Sequence, residues 1–132
     1  MQVLIKRSVI NSILSYARIC HPKEGILLLR GKAKKDLVEV EEVLIPPLSV
    51  RGSGFSSFPP HMLPLDLSII GIAHSHSSGI LAPSIVDLNN FYGRIMIIVA
   101  YPYKSEKDMI IINSKGKRLD YSIIDDYLSE KG

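Results

Sequence analysis

Residues 67–76, LSIIGIAHSH, form an apolar, β-branched run that ends on two histidines, His74 and His76. Such a run reads as a central strand of a sheet. MQVLI at the N-terminus is a short strand or an extended lead-in. Residues 7–19 put Ile10, Ile13, Leu14 and Ala17 on one helical stripe, flanked by Val9 and Tyr16, and Pro22 ends it. EGILLLRG (24–31) reads as a buried strand closed by Gly31, and DLVEVEEVLIPP as the next strand, stopped by Pro46 and Pro47. RGKAKK (30–35) is expected to be a solvated turn between them.

Residues 46–66 are rich in Pro, Gly and Ser, and a loop of that length in a small domain is often functional. PSIVDLNNFYG (83–93) carries helix signals, with Ser84 as N-cap and Gly93 as terminator. RIMIIVAYP and DMIIINSKG are two more strands, and DYSIIDDYLSE (120–130) reads as a closing helix with Ser122 and Asp125 spaced as a capping box. Helices and strands mix along the chain. The expected fold is therefore α/β (α+β), a mixed sheet flanked by helices.

A length of 132 residues, 46% of them apolar, fits one domain over 1–132 with a true hydrophobic core. No apolar run reaches the roughly 18–20 residues of a membrane span, and the N-terminus is a poor secretory signal. The chain is read as cytoplasmic, with no membrane role. The formal charge of +3 comes from scattered basic residues. A nucleic-acid surface needs a basic stripe with interleaved aromatics, so none is expected. The weak positive charge suits an acidic protein partner slightly better. The single cysteine, Cys20, excludes an internal disulfide and any multi-cysteine zinc site, and is expected to be a small buried hydrophobe at a helix end.

Chemistry concentrates in GIAHSHSSGILAPSIVDLNNF (71–91). In a strand, residues i and i+2 share a face, so His74 and His76 project side by side and Ser75 faces the other way. Two neutral imidazoles on one face suit zinc. Asp87 falls in the first turn of the following helix. If that turn packs back beside the strand end, its carboxylate becomes a third ligand and leaves one tetrahedral position open, the pattern of a catalytic site. Zinc lowers the pKa of bound water from 15.7 to about 7. At this chain's own composition, chance occurrences of His-x-His-x7-Ser-x2-Asp are on the order of 10⁻³. Each part alone has a plainer reading. His-x-His is often two polar groups at a sheet end, Ser84 and Asp87 are spaced as a capping pair, and His21 and His61 are better read as surface or hydrogen-bonded histidines in proline-adjacent turns.

With Glu24 in HPKEGILLLRG upstream, the spacing of His74, His76, Ser84 and Asp87 resembles the JAMM motif of the MPN-domain zinc metalloproteases, in a minimal prokaryotic or archaeal form. The resemblance extends over nearly the whole chain and implies the MPN/JAB fold, related to that of cytidine deaminases. It implies one Zn²⁺ per chain held by His74, His76 and Asp87, with Glu24 as general base and acid and Ser84 steadying the oxyanion. Ser77 departs from the pattern, which has proline there. Its loss should alter loop rigidity more than metal binding.

The implied activity is hydrolysis of the isopeptide or peptide bond at the C-terminus of a ubiquitin-like modifier. The alternative is trimming the C-terminus of a sulfur-carrier protein, and a non-catalytic MPN scaffold is a third reading. A nucleobase deaminase would need His-x-Glu and Pro-Cys-x-x-Cys, which one cysteine cannot supply. Ubiquitin-like tails enter family members as an extended strand. Phe55, Phe58 and Ser77 are the substrate-contacting candidates. The sequence leaves the oligomeric state open.

Overall fold

A computed structural model describes residues 1–46 and 66–126. The element order is β1 (Gln2–Lys6), α1 (Arg7–Cys20), β2 (Ile26–Lys34), β3 (Leu37–Leu44), β4 (Ile69–His76), α2 (Ile85–Asn89), β5 (Ile95–Ala100), a 3₁₀ turn (Glu106–Asp108), β6 (Met109–Ile112) and β7 (Ser122–Ile124). The strands form a mixed, seven-stranded sheet in the order β6-β5-β4-β2-β3-β1-β7. β4 is an interior strand, third in that order, antiparallel to β2 and parallel to β5. The expected class and the interior place of the 67–76 run are both observed. All eight residues of β4 are buried.

Each face of the sheet carries its own apolar cluster. Val9, Ile10, Ile13, Leu14 and Ala17 of α1 pack on Val3, Leu27, Val38, Ala73, Ile97 and Val99. The other face gathers Ile26, Leu28, Ile72, Met96, Ile98 and Ile110, with Leu88 of α2, Leu81 and Phe91 against it. α1 has the 3.6-residue stripe the sequence displays, and β5 is buried throughout because both of its faces are covered.

A bulge in β4 decides which way the histidines point. Ile69 and Ile72 belong to the α2-side cluster, whereas Ile70 and Ala73 belong to the α1-side cluster. Strict alternation would put Ile69 and Ile72 on opposite faces. One extra residue is inserted at Ile70–Gly71, where the pairing with β2 shifts register between Leu29 and Arg30. From Ile72 onward the alternation resumes, so His74 and His76 emerge on the α2 side. Gly71 allows this because a Cβ there would stand 2.1 Å from the Ile95 carbonyl oxygen. Gly71→Ala must push β4 and β5 apart. We expect a loss of about 3 kcal/mol or failure to fold, read as a fall in the urea midpoint. A midpoint within 0.5 kcal/mol of wild type would contradict the bulge account.

Three sequence expectations are corrected. β2 does not close at Gly31 but runs to Lys34, so most of the basic segment is strand rather than turn. Gly31 marks a bulge against β3, where a Cβ would meet the Glu39 carbonyl at 1.8 Å. The 120–130 segment does not begin as a helix: Ser122–Ile124 is β7, paired parallel to β1, so Ser122 and Asp125 form no capping box. Its governing period is two, since Tyr121 and Ile123 are the residues that pack against the α1-side cluster. Cys20 sits at the helix end as expected but is half-buried rather than buried. Among the described residues no helix is long and apolar enough to cross a membrane.

Candidate metal centre

Three polar side chains are buried together at the end of β4. His74, His76 and Asp87 are 3%, 8% and 6% exposed, and with Ser75 they are the buried polar residues among those described. Burying such groups is costly unless they satisfy one another or hold an ion. Asp87 reaches them because α2 is a short helix whose N-terminus abuts the strand end. Ser84 caps it: the Asp87 N–H donates to Ser84 Oγ at 3.1 Å, and the Ser84 N–H donates to Asp87 Oδ2 at 2.7 Å. The capping box is thus real, and it fixes the carboxylate in the rotamer that faces the imidazoles.

The two oxygens of Asp87 divide between the rings. Oδ1 lies 3.3 Å from His74 Nε2, and Oδ2 lies 3.1 Å from His76 Nε2. One potential ligand atom from each of the three residues falls within 4.8 Å of the others. Ligands about 2.0–2.1 Å from a tetrahedral ion stand about 3.3 Å apart, and the two histidine–aspartate distances, 3.3 Å and 3.1 Å, are close to that edge. His76 is also braced from behind, with Nδ1 2.9 Å from the Ile80 carbonyl oxygen. That contact favours a proton on Nδ1 and leaves Nε2 as the lone-pair donor. His74 Nδ1 has no hydrogen-bond partner, so the ring's polar contacts are all made through Nε2, which faces Asp87 and lies 3.3 Å from Met96 Sδ. The residues present fit a divalent cation.

Their protonation agrees. Burial pushes His74 down to about 4, overcoming the pull of the Asp87 charge, so the ring is neutral at physiological pH. The hydrogen bond to Asp87 raises His76 against the opposing effect of burial, with the Ile80 carbonyl and the charges of Asp87 and Glu24 adding to the rise. Burial pushes Asp87 upward, but His76, His74 and the Ser84 amide together outweigh it and hold the carboxyl at about 2.

Glu24 arrives from the segment between α1 and β2. Its Oε2 lies 3.4 Å from the Ser77 N–H, and its charge is felt by both imidazoles. The structure thereby brings together Glu24, His74, His76 and Asp87 from three separate segments. The departure at Ser77 gains a further consequence here. A proline would have no N–H to offer, whereas Ser77 donates one to the Glu24 carboxylate. Ser84 is exposed at the rim, and its hydroxyl, already accepting from Asp87, keeps its own hydrogen to donate. Phe55, Phe58 and His61 lie outside the described residues.

Sequence reasoning missed the apolar rim. Ile80, Ile85, Val86 and Tyr101 surround the cluster and are 61%, 79%, 53% and 52% exposed. Ile85 and Val86 sit in a helix too short to show a one-sided stripe, which is why their exposure left no signal. His21 does take the hydrogen-bonded reading: its ring stacks on Tyr101 at 4.6 Å and its Nδ1 lies 3.3 Å from the Tyr103 hydroxyl.

An interior strand of a mixed sheet thus delivers two imidazoles to a carboxylate on the helix that follows it, an arrangement that fits a metal site. Comparison with known proteins specifies which kind. A curated protein described as a probable metalloprotease from Haloferax volcanii is 33% identical over 117 residues, covering 83% of this chain and 72% of the relative. A JAB1/MPN domain protein from Archaeoglobus fulgidus superposes with a TM-score of 0.69 at 31% identity, over 95% of this chain and all of the other. A structure described as a JAMM metalloprotease-like zinc site in the proteasome and signalosome gives 0.66 at 29% identity, over the same shares. A Desulfitobacterium hafniense protein at 20% identity and TM-score 0.68 shares the fold. No family model matches the sequence. The chain belongs to the JAMM/MPN metalloprotease family, as a minimal MPN domain, and its His74, His76 and Asp87 cluster fits a metal site.

Proposed function

We propose that this protein is a zinc-dependent isopeptidase that hydrolyses the bond between the C-terminus of a ubiquitin-like modifier and an amine. One observation carries the reading: a carboxylate that is not one of the three clustered donors, Glu24, is held beside them from 53 residues away in sequence. A structural metal site closes its coordination with protein ligands and has no use for a further carboxylate beside them, whereas a hydrolytic one does.

In this reading His74, His76 and Asp87 hold one zinc per chain. Bound there, zinc supplies Lewis acidity at the scissile carbonyl and makes water nucleophilic at neutral pH. Glu24 accepts a proton from the attacking water and returns it to the departing nitrogen, so that lysine leaves as a neutral amine. The Ser84 hydroxyl donates to the oxygen that becomes negative in the transition state. Removing one such donor costs about 10²–10³ in rate, the loss expected for Ser84→Ala in kcat with zinc retained. Ser77, Ile80 and Tyr101, beside the site, and Phe55 and Phe58 are assigned to substrate contact. The modifier's extended tail supplies the apolar contacts this rim is suited to accept.

The pH dependence follows from the ligands. A ligand has to shed its proton to bind metal, so affinity falls as pH falls. His76 is raised, so its proton competes with the metal at higher pH than that of an unperturbed histidine, at about tenfold per pH unit for one proton. His74 joins only near 4, where the slope doubles. Zinc affinity measured from pH 8 to 4 should therefore show a one-proton slope once His76 titrates, with a second proton entering only near 4. A two-proton slope at pH 6 would show that both rings are protonated together.

The direct test of the function is incubation of the zinc-loaded protein with a modifier–lysine conjugate and, separately, with a modifier–cysteine fusion. Release of the lysine substrate supports the isopeptidase reading. Cleavage of the fusion alone replaces it with C-terminal trimming.

A further inference from the structure

Tyr103 is a buried phenol with no part in the chemistry above. It is 1% exposed, and its φ is +57°, a conformation uncommon for a bulky residue. Its backbone is held in place, since Arg18 donates from its guanidinium to the Tyr103 carbonyl and the Tyr103 N–H donates to the Ala100 carbonyl at 3.0 Å. Its hydroxyl touches Ser75, the residue between the two histidines on the opposite face of β4, and lies 3.3 Å from His21 Nδ1. Ser75 is itself 2% exposed. Its Oγ accepts the Gly25 N–H at 2.8 Å, while its own N–H donates to the Gly25 carbonyl at 3.1 Å.

One direction satisfies every group in this chain: Gly25 N–H to Ser75 Oγ, Ser75 O–H to the Tyr103 oxygen, and Tyr103 O–H to His21 Nδ1. Gly25 is pressed into it, because a Cβ at that position would lie 2.9 Å from the Tyr16 ring and 3.1 Å from Cys20 Sγ. Gly25 is also the residue that follows Glu24.

We propose that Ser75, backed by Tyr103 and His21, is a positioning residue that locks the Glu24–Gly25 segment to the strand bearing His74 and His76, and so sets the Glu24 carboxylate beside the metal site. The proposal rests on Glu24 acting as the proton carrier. The physical logic is that Glu24 lies just before β2, one residue beyond Gly25, which continues the Ile26–His74 pairing. The two hydrogen bonds between Gly25 and Ser75 hold it there. Because Ser75 points away from the ligand face, it acts on the carboxylate without touching the metal.

The test uses the zinc-loaded full chain and the modifier–lysine conjugate. Ser75→Ala should lower kcat about 10–100-fold, the range for losing an orienting partner, with KM and zinc affinity within about threefold of wild type. Ser75→Thr keeps the hydroxyl, and a cavity of about 10 Å³ bordering Ser75 takes up strain from the added methyl, so its kcat should stay within about threefold. Combined with Glu24→Gln, Ser75→Ala should cost nothing further, because the group it positions is gone. Loss that adds to that of Glu24→Gln, or loss of zinc in proportion to activity, overturns the proposal by making Ser75 merely structural.

A second measurement does not depend on turnover. Hydrogen exchange at the Gly25 amide should rise at least about tenfold in Ser75→Ala and remain slow in Ser75→Thr. An unchanged Gly25 amide overturns the lock. If wild type leaves the conjugate uncut, the proposed function fails, and the exchange measurement still decides whether the lock exists. Tyr103→Phe, which deletes only the hydroxyl, should reproduce a smaller part of both effects. No change in either would remove Tyr103 from the network.

Discussion

Glu24→Gln is expected to lower hydrolysis by about 10²–10⁴-fold while leaving one zinc per chain in place. Glutamine keeps the size and hydrogen-bonding shape of the side chain, and its amide oxygen can still accept the Ser77 N–H that Glu24 receives at 3.4 Å. What it cannot do is take up a proton at neutral pH. Glu24 is also not one of the three clustered donors, so metal content should be insensitive to the change. The pairing of lost turnover with retained zinc is the signature, since a folding defect would remove both. It is checked by single-turnover cleavage of the modifier–lysine conjugate beside elemental analysis of the same sample. Turnover within tenfold of wild type would take the base assignment away from Glu24.

Asp87→Ala should have the other large effect, of opposite pattern. Asp87 is engaged twice: its oxygens face both imidazoles, and Oδ2 also accepts the Ser84 N–H that begins α2. Removing it deletes a ligand and leaves His76, now without the carboxylate that raised it, facing an apolar hole. Zinc should fall below a tenth of an equivalent, and hydrolysis with it. The metal-free protein should also lose about 0.5–2 kcal/mol through the broken cap. Ser84→Ala separates the two roles, because it weakens the cap yet keeps the carboxylate and therefore the metal. A melting curve on metal-free samples of both variants and wild type measures the cap term. Zinc retained in Asp87→Ala would show that the carboxylate is not a ligand.

Much of this was legible in the sequence because the relevant signals are local. The face shared by His74 and His76 follows from strand geometry, and the turn that delivers Asp87 is announced by the same Ser-x-x-Asp that caps it. What the sequence hid depends on contacts between distant segments. α1 has no side-chain cap from its own N-cap residue, Lys6. Its first turn is instead met by Asp126, whose carboxylate accepts the Ser8 N–H at 3.0 Å across 118 residues. The 120–130 segment looked helical because Ser122 and Asp125 are correctly spaced for a cap, but the open edge of β1 offers backbone partners that override a short local preference. Gly31 looked like a terminator because a glycine after an apolar run usually is one, and its real cause, the Glu39 carbonyl, lies on another strand. The bulge at Ile70–Gly71 was invisible for the same reason, although without it the relation between the histidines and the rest of β4 would be reversed.

The central claim is that His74, His76 and Asp87 together hold a single divalent ion. It is tested most directly by titrating zinc into chelator-stripped protein by calorimetry, with wild type and His74→Ala compared at pH 7.5. The account predicts one high-affinity equivalent for wild type and a loss of at least two orders of magnitude in affinity for the variant. Wild type that takes up no zinc, or His74→Ala that binds it as tightly, would contradict it.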